Sequence, residues 1–401
     1  MPDLNAAIFK PLPLKRCLLP NRLIRSATYE GLADRQGYPQ KALAGLYLNL
    51  IRPEPGTIIT GFVAVSPQGR AMHPNQGGLW DDSHIRPWRE IVTAVKAAGP
   101  DSRLFMQLAH TGRQTVAALT GQEVVGASSR RCTYFQQKVH ALSEPEIEAV
   151  INDFAAAAER ARAAGLDGVQ IHAAHGYLIH QFLSPHTNTR DDRWRDGGLL
   201  LAEIIRAVRA RCGKDFPLLI KVSHADDRGL RLEPLIQALK RIEDQFDAAE
   251  VSYDTMEYAL NIIRGGCPID EILRINPIYK TIPARFKSIW KACVYPFKKL
   301  KFKDFTYGYN LEGTSAIKKA LKIPVIPVGG LHRLADLADC LGQHGFEAAA
   351  LCRPFICEPD LLAKIKAGQW IRSRCSRCNL CTINCDSLKV LTCHQKSGAA
   401  V

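Results

Sequence analysis

Within the stretch GLDGVQIHAAHGYLIHQFLSP, Gly165 to Pro185, an alternating apolar run leads into His172, His175 and Tyr177. Three hydrogen-bonding side chains at one strand end are the makings of a catalytic site. One histidine so placed is more often structural, but two with a tyrosine inside six residues reverse that preference. Lys221 stands alone in the apolar run PLLIKVSH, where a cation is costly unless an anion pairs with it. A further group lies near the C-terminus. Cys375, Cys378, Cys381 and Cys393 give C-x2-C-x2-C-x11-C, and four thiolates at that spacing suit a [4Fe-4S] cluster, with zinc as the alternative chemistry. Cys385 is an extra thiol that leaves the fourth ligand open.

The cysteines also bear on compartment. The chain has 13, and five fall in its last 27 residues, whereas disulfide frameworks usually span a small secreted domain. That crowding favours a metal site in a reducing, cytoplasmic setting. The longest charge-free stretches, such as Gly56 to Gly69, are too short to cross a bilayer, and MPDLNAAIFK lacks a signal-peptide pattern. A soluble protein with no membrane partner is the expectation.

Short β-branched runs followed by helical patterns recur along the chain. The strands read LPNRLIRSAT, GTIITGFVAV, RLFMQLAH, GLDGVQIHAA, PLLIKVSH, AAEVSYD, IPVIPVGGL and EAAALCRP. Helical stretches follow at Gln40 to Leu50, Ile85 to Ala98, Leu199 to Arg211, Pro234 to Phe246, Gly313 to Leu321 and Ala335 to Leu341. The clearest helix begins at Ser143, where Ser143 and Glu146 form a capping-box pattern with Pro145 in the first turn and Ile147, Val150, Ile151 and Phe154 at helical spacing. Eight strand–helix units in about 350 residues predict an α/β fold, a (β/α)8 TIM barrel with a C-terminal cysteine-rich extension. A doubly wound sheet is the rival, but it usually carries Gly-x-Gly-x-x-Gly, and no two glycines here are two residues apart.

In a barrel of this kind the active-site residues come from the C-terminal strand ends. The candidates are Ser26, Ala27 and Thr28 after strand one, Gly61 after strand two, and Gln107 and His110 at strand three. Lys221 and His224 come from strand five, Gly329 and Gly330 from strand seven, and Cys352 and Arg353 from strand eight. Barrels often bind phosphate after strands seven and eight, which suits the two glycine amides and the Arg353 guanidinium.

Several motifs now stand in order: FKPLPLKRCLLPNRLIRSATYEG, TGFVAVSPQGR, QLAHTGRQ, GLDGVQIHAAHGYLIHQFLSPHTNTRDDRW, VIPVGGL and CRPFICEPDL. Together they resemble the old yellow enzyme family of FMN-dependent oxidoreductases, within it the branch of 2,4-dienoyl-CoA reductase and trimethylamine dehydrogenase. The resemblance runs over roughly residues 8–395 and implies a barrel over 1–370, with a basic insertion at 257–310 between strands six and seven, and an iron–sulfur segment over 371–401. It implies FMN at the barrel mouth, with Ala27, Thr28, Gly61 and Gln107 at the ring, Lys221 beside N1, and Gly329, Gly330, Cys352 and Arg353 at the phosphate. His172 and His175 would hold a substrate carbonyl while hydride adds to an activated alkene, and Tyr177 would protonate the α carbon. Tyrosine with a pKa of about 10 is protonated at neutral pH and needs no special tuning for that duty. Oxidation of an amine is the alternative reaction.

Two departures from the family pattern stand out. The segment after the strand-four motif is shortened to RWRDGGLLLAEI, and Cys352 replaces a glycine before the phosphate arginine. The chain also ends after its cysteines, so no second flavin site is expected in it. The [4Fe-4S] cluster then raises the question of electron supply, which is either NADH or NADPH acting directly or an electron-transfer protein partner.

The formal charge of +14 is concentrated in part at 257–310, which holds ten Lys or Arg against four Asp or Glu, interleaved with Trp290, Tyr295, Phe297, Phe302 and Phe305. This segment would dock an acidic partner, cover the active site, grip a CoA-like small-molecule substrate, or serve only as a solvated excursion. Nucleic-acid binding without catalysis is the reading from a different class, and no recognised motif supports it.

Overall fold

Residues that pack on both faces must be apolar on both faces, and eight short runs of that kind line up side by side. The computed structural model describes residues 4–276, 278–385, 387 and 389–395. Its barrel strands are β1 (Leu23–Arg25), β2 (Thr57–Ile59), β3 (Arg103–Ala109), β4 (Gly168–Ala173), β5 (Leu218–Ser223), β6 (Ala248–Ser252), β7 (Val325–Pro327) and β8 (Ala349–Leu351). They pair in parallel in the order β7-β6-β5-β4-β3-β2-β1-β8, and a parallel bridge from Val328 to Ala350 joins the two ends. The expected (β/α)8 barrel is therefore present, nearly closed.

The core has two parts. Inside the barrel, Ile24, Ile59, Phe105, Leu219, Ala248 and Ile326 pack together, and an antiparallel hairpin of Leu12–Pro13 with Leu18–Leu19 adds Leu12 and Leu19 to the same cluster. Outside, helices α1 (Ala42–Ile51), α2 (Ile85–Ala98), α3 (Glu144–Ala163), α4 (Leu199–Cys212), α5 (Leu232–Lys240) and α6 (Leu311–Ala320) cover the strands. The α3 start is the one expected. Ser143 and Glu146 form a capping box, and the Ser143 amide donates to Glu146 Oε2 at 2.7 Å. Its apolar stripe of Ile147, Val150 and Phe154 is buried, worth about 1.5–3 kcal/mol for each large side chain.

Between β6 and α6 the chain leaves the barrel through short helices that include Ile269–Ile275, Ala284–Cys293 and Tyr295–Lys299. Among the described residues no helix is long and apolar enough to cross a membrane. Residues 386, 388 and 396–401 of the expected cysteine-rich segment lie outside the described residues.

Candidate active site

Buried strands leave little room for charge, so the polar residues inside this barrel must satisfy one another. Lys221 Nζ lies 2.9 Å from Glu250 Oε1 and donates to Ser26 Oγ at 3.0 Å. Gln170 donates to the other Glu250 oxygen at 2.8 Å, and Gln107 donates to Gln170 at 2.6 Å. Strand register produces this chain of contacts, since Lys221 stands opposite Glu250 on one side and His172 on the other, while Gln107 stands opposite Gln170. Lys221 thus has the anion that its apolar surroundings demand. Glu250 and Gln170 were missed as site residues. The signal was there, because Glu250 is a lone carboxylate in AAEVS just as Lys221 is a lone cation in its own strand.

Ala27 and Thr28 are half-buried beside this layer, with the Thr28 hydroxyl donating to the Ser26 carbonyl at 3.1 Å. Gly61 is fixed by a second buried carboxylate. Glu30 Oε1 accepts from the Gly61 amide at 2.7 Å, from Tyr47 at 2.9 Å and from Arg25 at 3.1 Å. Sequence reading missed Glu30 as well.

The histidine turn is held from three sides. His175 has a left-handed backbone (φ 60°), its amide donates to Ser223 Oγ at 3.1 Å, and its carbonyl accepts from Met256 at 2.9 Å. Gly176 follows at φ 75°, where a Cβ would collide with Gln114. His172 Nδ1 accepts from the Ala174 amide at 3.2 Å, which puts its proton on Nε2. His175 Nε2 meets Ser252 Oγ at 2.8 Å, so one of its nitrogens is already engaged. The His172 ring stands 5.1 Å from that of His175 and 4.7 Å from that of Tyr177, and Tyr177 also packs on Phe62 at 5.5 Å. Burial first, then the Lys221 charge and His180, hold the His172 pKa well below 6.5. Burial, then His172, Lys221 and His180, do the same for His175. Both rings are neutral at pH 7 and can act as N–H donors. His110 and His224 play other parts: His110 Nδ1 accepts from the Gly112 amide at 3.1 Å, and the His224 ring lies 5.3 Å from that of Tyr253.

At the ends of β7 and β8, Gly329 and Gly330 adopt φ values of 116° and 79°. The end of the excursion rests on them. The Gly308 amide donates to the Gly330 carbonyl at 3.0 Å, and a Cβ on Gly330 would come within 2.6 Å of the Gly308 nitrogen. Arg353 is buried and donates to the Arg264 carbonyl and to Asn379 Oδ1, both at 2.8 Å. Cys352 caps the short helix Arg353–Cys357 and is half-buried.

Cys375, Cys378, Cys381 and Cys393 line one small cavity, close to Arg353 and Asn379. Cys357 lines it too, with its sulfur 3.8 Å from that of Cys393. No sequence spacing pointed to Cys357. Cys385 faces elsewhere, its sulfur 3.4 Å from the Tyr29 carbonyl oxygen. The donor chemistry suits a thiophilic metal or an iron–sulfur cluster. Among the described residues, however, no three His, Cys, Asp or Glu side chains stand in an arrangement that would hold a metal ion.

Residues 7–259 match the model of the NADH:flavin oxidoreductase / NADH oxidase family. The chain belongs to that family, the old yellow enzymes. An NADPH dehydrogenase of Clostridium acetobutylicum is 31% identical over 88% of this chain and 92% of its own length. An NADH oxidase of Thermoanaerobacter brockii is 29% identical over 91% of this chain, which spans only 51% of that longer relative. In three dimensions the old yellow enzyme homologue of Zymomonas mobilis overlays with a TM-score of 0.70 at 24% identity, covering 92% of this chain and 95% of that one. Membership makes this an FMN-dependent oxidoreductase rather than a protein without catalysis.

The residues of this old yellow enzyme fit FMN unevenly. Toward the ring, Lys221 and Gln107 belong to the buried polar layer with Glu250 and Gln170, while Thr28 and Gly61 follow β1 and β2. Toward the phosphate, the chemistry of the left-handed glycines and Arg353 suits an anion, yet Gly308 and Tyr309 pack directly on the glycines and Arg353 already donates to Arg264 and Asn379.

Proposed function

We propose that the enzyme reduces an activated alkene, conjugated to a carbonyl or acyl-thioester group, at the barrel mouth. The observation that carries this reading is the His172–Tyr177 pair. One ring presents an Nε2 proton, the other carries a phenol 4.7 Å away between ring centroids, and both are buried. Bound FMN would supply a hydride once reduced. His172, helped by whichever nitrogen of His175 is free of Ser252, donates to the substrate carbonyl oxygen and draws electron density from the β carbon. Tyr177 holds the proton that the α carbon receives. Lys221, tempered by Glu250, would serve the N1 side of bound FMN, where added negative charge needs a partner. NADH or NADPH fits as the reductant, in keeping with the dehydrogenase relatives. The test of the flavin assignment is direct. The purified protein should be yellow and should bleach under anaerobic NADH or NADPH; a colourless protein that takes up no added FMN contradicts the reading.

Gly329, Gly330 and Arg353 are proposed as the phosphate end, reached when the Gly308–Tyr309 turn yields. Arg353→Ala should lower the ratio of flavin to protein after gel filtration severalfold. Full retention would move the phosphate elsewhere.

The four motif cysteines are proposed to hold a [4Fe-4S] cluster, which carries one electron at a time and would suit a protein electron donor. Their spacing supports this, the cysteines share one cavity but would have to draw closer together to bind it, and a reducing cytoplasm would keep them as thiols. Cys378→Ala should remove iron while leaving FMN bound, and unchanged iron content would rule the cluster out.

A further inference from the structure

The excursion after β6 encloses a cavity of about 260 Å³ against the barrel mouth, with Tyr177 and Gln114 on the barrel side. Its outer wall is aromatic, made by Tyr258, Tyr279, Trp290 and Phe302. Trp290 and Tyr279 meet edge to face with centroids 5.2 Å apart, and the Lys298 ammonium stands 5.5 Å from the Tyr279 ring centre. Two cations line the same wall, Lys298 and Lys301.

Charge pairing within the excursion separates these two lysines from their neighbours. Lys291 is ion-paired with Asp270 at 2.7 Å, Arg274 with Glu271 at 2.6 Å and Lys303 with Asp227 at 2.8 Å. Among the described residues no carboxylate is paired with Lys298 or Lys301. Lys298 instead donates to the Tyr279 hydroxyl at 3.1 Å and stands 5.9 Å from the Trp290 ring centre, while Lys301 stands 5.8 Å from that of Tyr258. Both ammonium groups are exposed and keep charge to offer.

The barrel side adds a polar anchor. Gln114 is 2% exposed, and its Nε2 donates to the carbonyls of His175 at 3.1 Å and Gly176 at 2.7 Å, which fixes the orientation of its amide. Its Oε1 is buried with no hydrogen-bond partner, and the residue stands in the cavity wall.

We infer that this cavity selects a flat aromatic substrate carrying an anionic group, the ring against Trp290 and Tyr279 and the anion at Lys298 and Lys301. The inference rests on the alkene-reductase reading of the same site and narrows its substrate class. Size, wall chemistry and charge point the same way. The volume suits one or two rings, the aromatic wall suits stacking, and the unpaired lysines favour a carboxylate over a neutral substituent.

The test uses the flavin-loaded full chain with two probes that differ in one group, cinnamaldehyde and 4-carboxycinnamaldehyde. Their kcat/KM ratio is compared between the wild type and Lys298→Gln/Lys301→Gln, a pair of exposed substitutions. The wild type should prefer the carboxylated aldehyde, and the double variant should lose about tenfold of that preference, the size expected for two partly exposed ion pairs. A preference for the neutral aldehyde, or an unchanged ratio in the variant, would overturn the inference. If neither aldehyde is reduced, the alkene-reductase reading fails on its own, and calorimetric titration with 4-carboxycinnamate decides the binding claim. A Kd that rises about tenfold in the variant sustains an anionic aromatic ligand. No binding, or an unchanged Kd, refutes it.

Discussion

Tyr177→Phe is expected to leave anaerobic reduction of the flavin by NAD(P)H within about twofold while slowing reoxidation by an enone by about 10²- to 10⁴-fold, the usual contribution of a positioned acid. The split follows from where the hydroxyl stands. The substitution keeps the ring that packs on Phe62 at 5.5 Å and on His172 at 4.7 Å, so the turn after β4 loses one oxygen and no packing. Histidine titration should not mask the effect, because burial keeps His172 and His175 neutral well below their ordinary pKa. Stopped-flow traces of the two half-reactions check it. Equal loss in both would assign Tyr177 to holding the turn or the flavin.

The second large effect is on stability. Lys221 and Glu250 form an ion pair at 2.9 Å with side chains only 4% and 2% exposed. Taking away one partner strands a charge in the barrel, so Lys221→Met should cost about 3–5 kcal/mol in chemical denaturation. The Lys221→Met/Glu250→Met double variant should cost much less than the sum of the two single changes, because it removes both charges together. Single variants that each cost under about 1 kcal/mol would mean that the pair is solvated and the layer is not closed. The same pair bears on redox tuning. Glu250→Gln leaves the Lys221 charge without its anion and should raise the midpoint potential of the bound flavin, as read by spectroelectrochemistry.

Much of this architecture is legible in the chain because barrel strands are buried on both faces and read as apolar runs between helical patterns. Helix Ile85–Ala98 has the ends its pattern predicts, and the capping box at Ser143 is where Ser-x-x-Glu places it. Strand one is shorter than its apolar run suggests, spanning Leu23–Arg25, since Asn21 Oδ1 takes the Leu23 amide at 3.0 Å and Pro20 breaks the run ahead of it. The stretch Pro234 to Phe246, read as one helix, begins at Leu232, stops at Lys240 and continues as a short turn of 3-10 helix at Glu243–Gln245. Such boundaries depend on tertiary contacts that local pattern does not carry.

The site shows the same division. His172, His175 and Tyr177 are neighbours in sequence and could be found by spacing alone. Glu250 meets Lys221 only through the β5–β6 register, and Cys357 meets Cys393 across 36 residues. The helices of the excursion carry a mixed basic and aromatic pattern that sets no clear face, and for that reason their enclosure of a cavity over Tyr177 became visible only in three dimensions.

The central claim is that this barrel mouth passes two electrons from a bound flavin to a conjugated alkene. Its most direct test is a single anaerobic mixing experiment: the protein is reduced with NADPH or NADH until the flavin band is bleached, freed of excess nucleotide, and mixed with a stoichiometric enone. Return of the oxidised flavin band together with an equal amount of saturated ketone is the predicted result. A flavin that stays reduced under enone and reoxidises only when air is admitted would contradict the account.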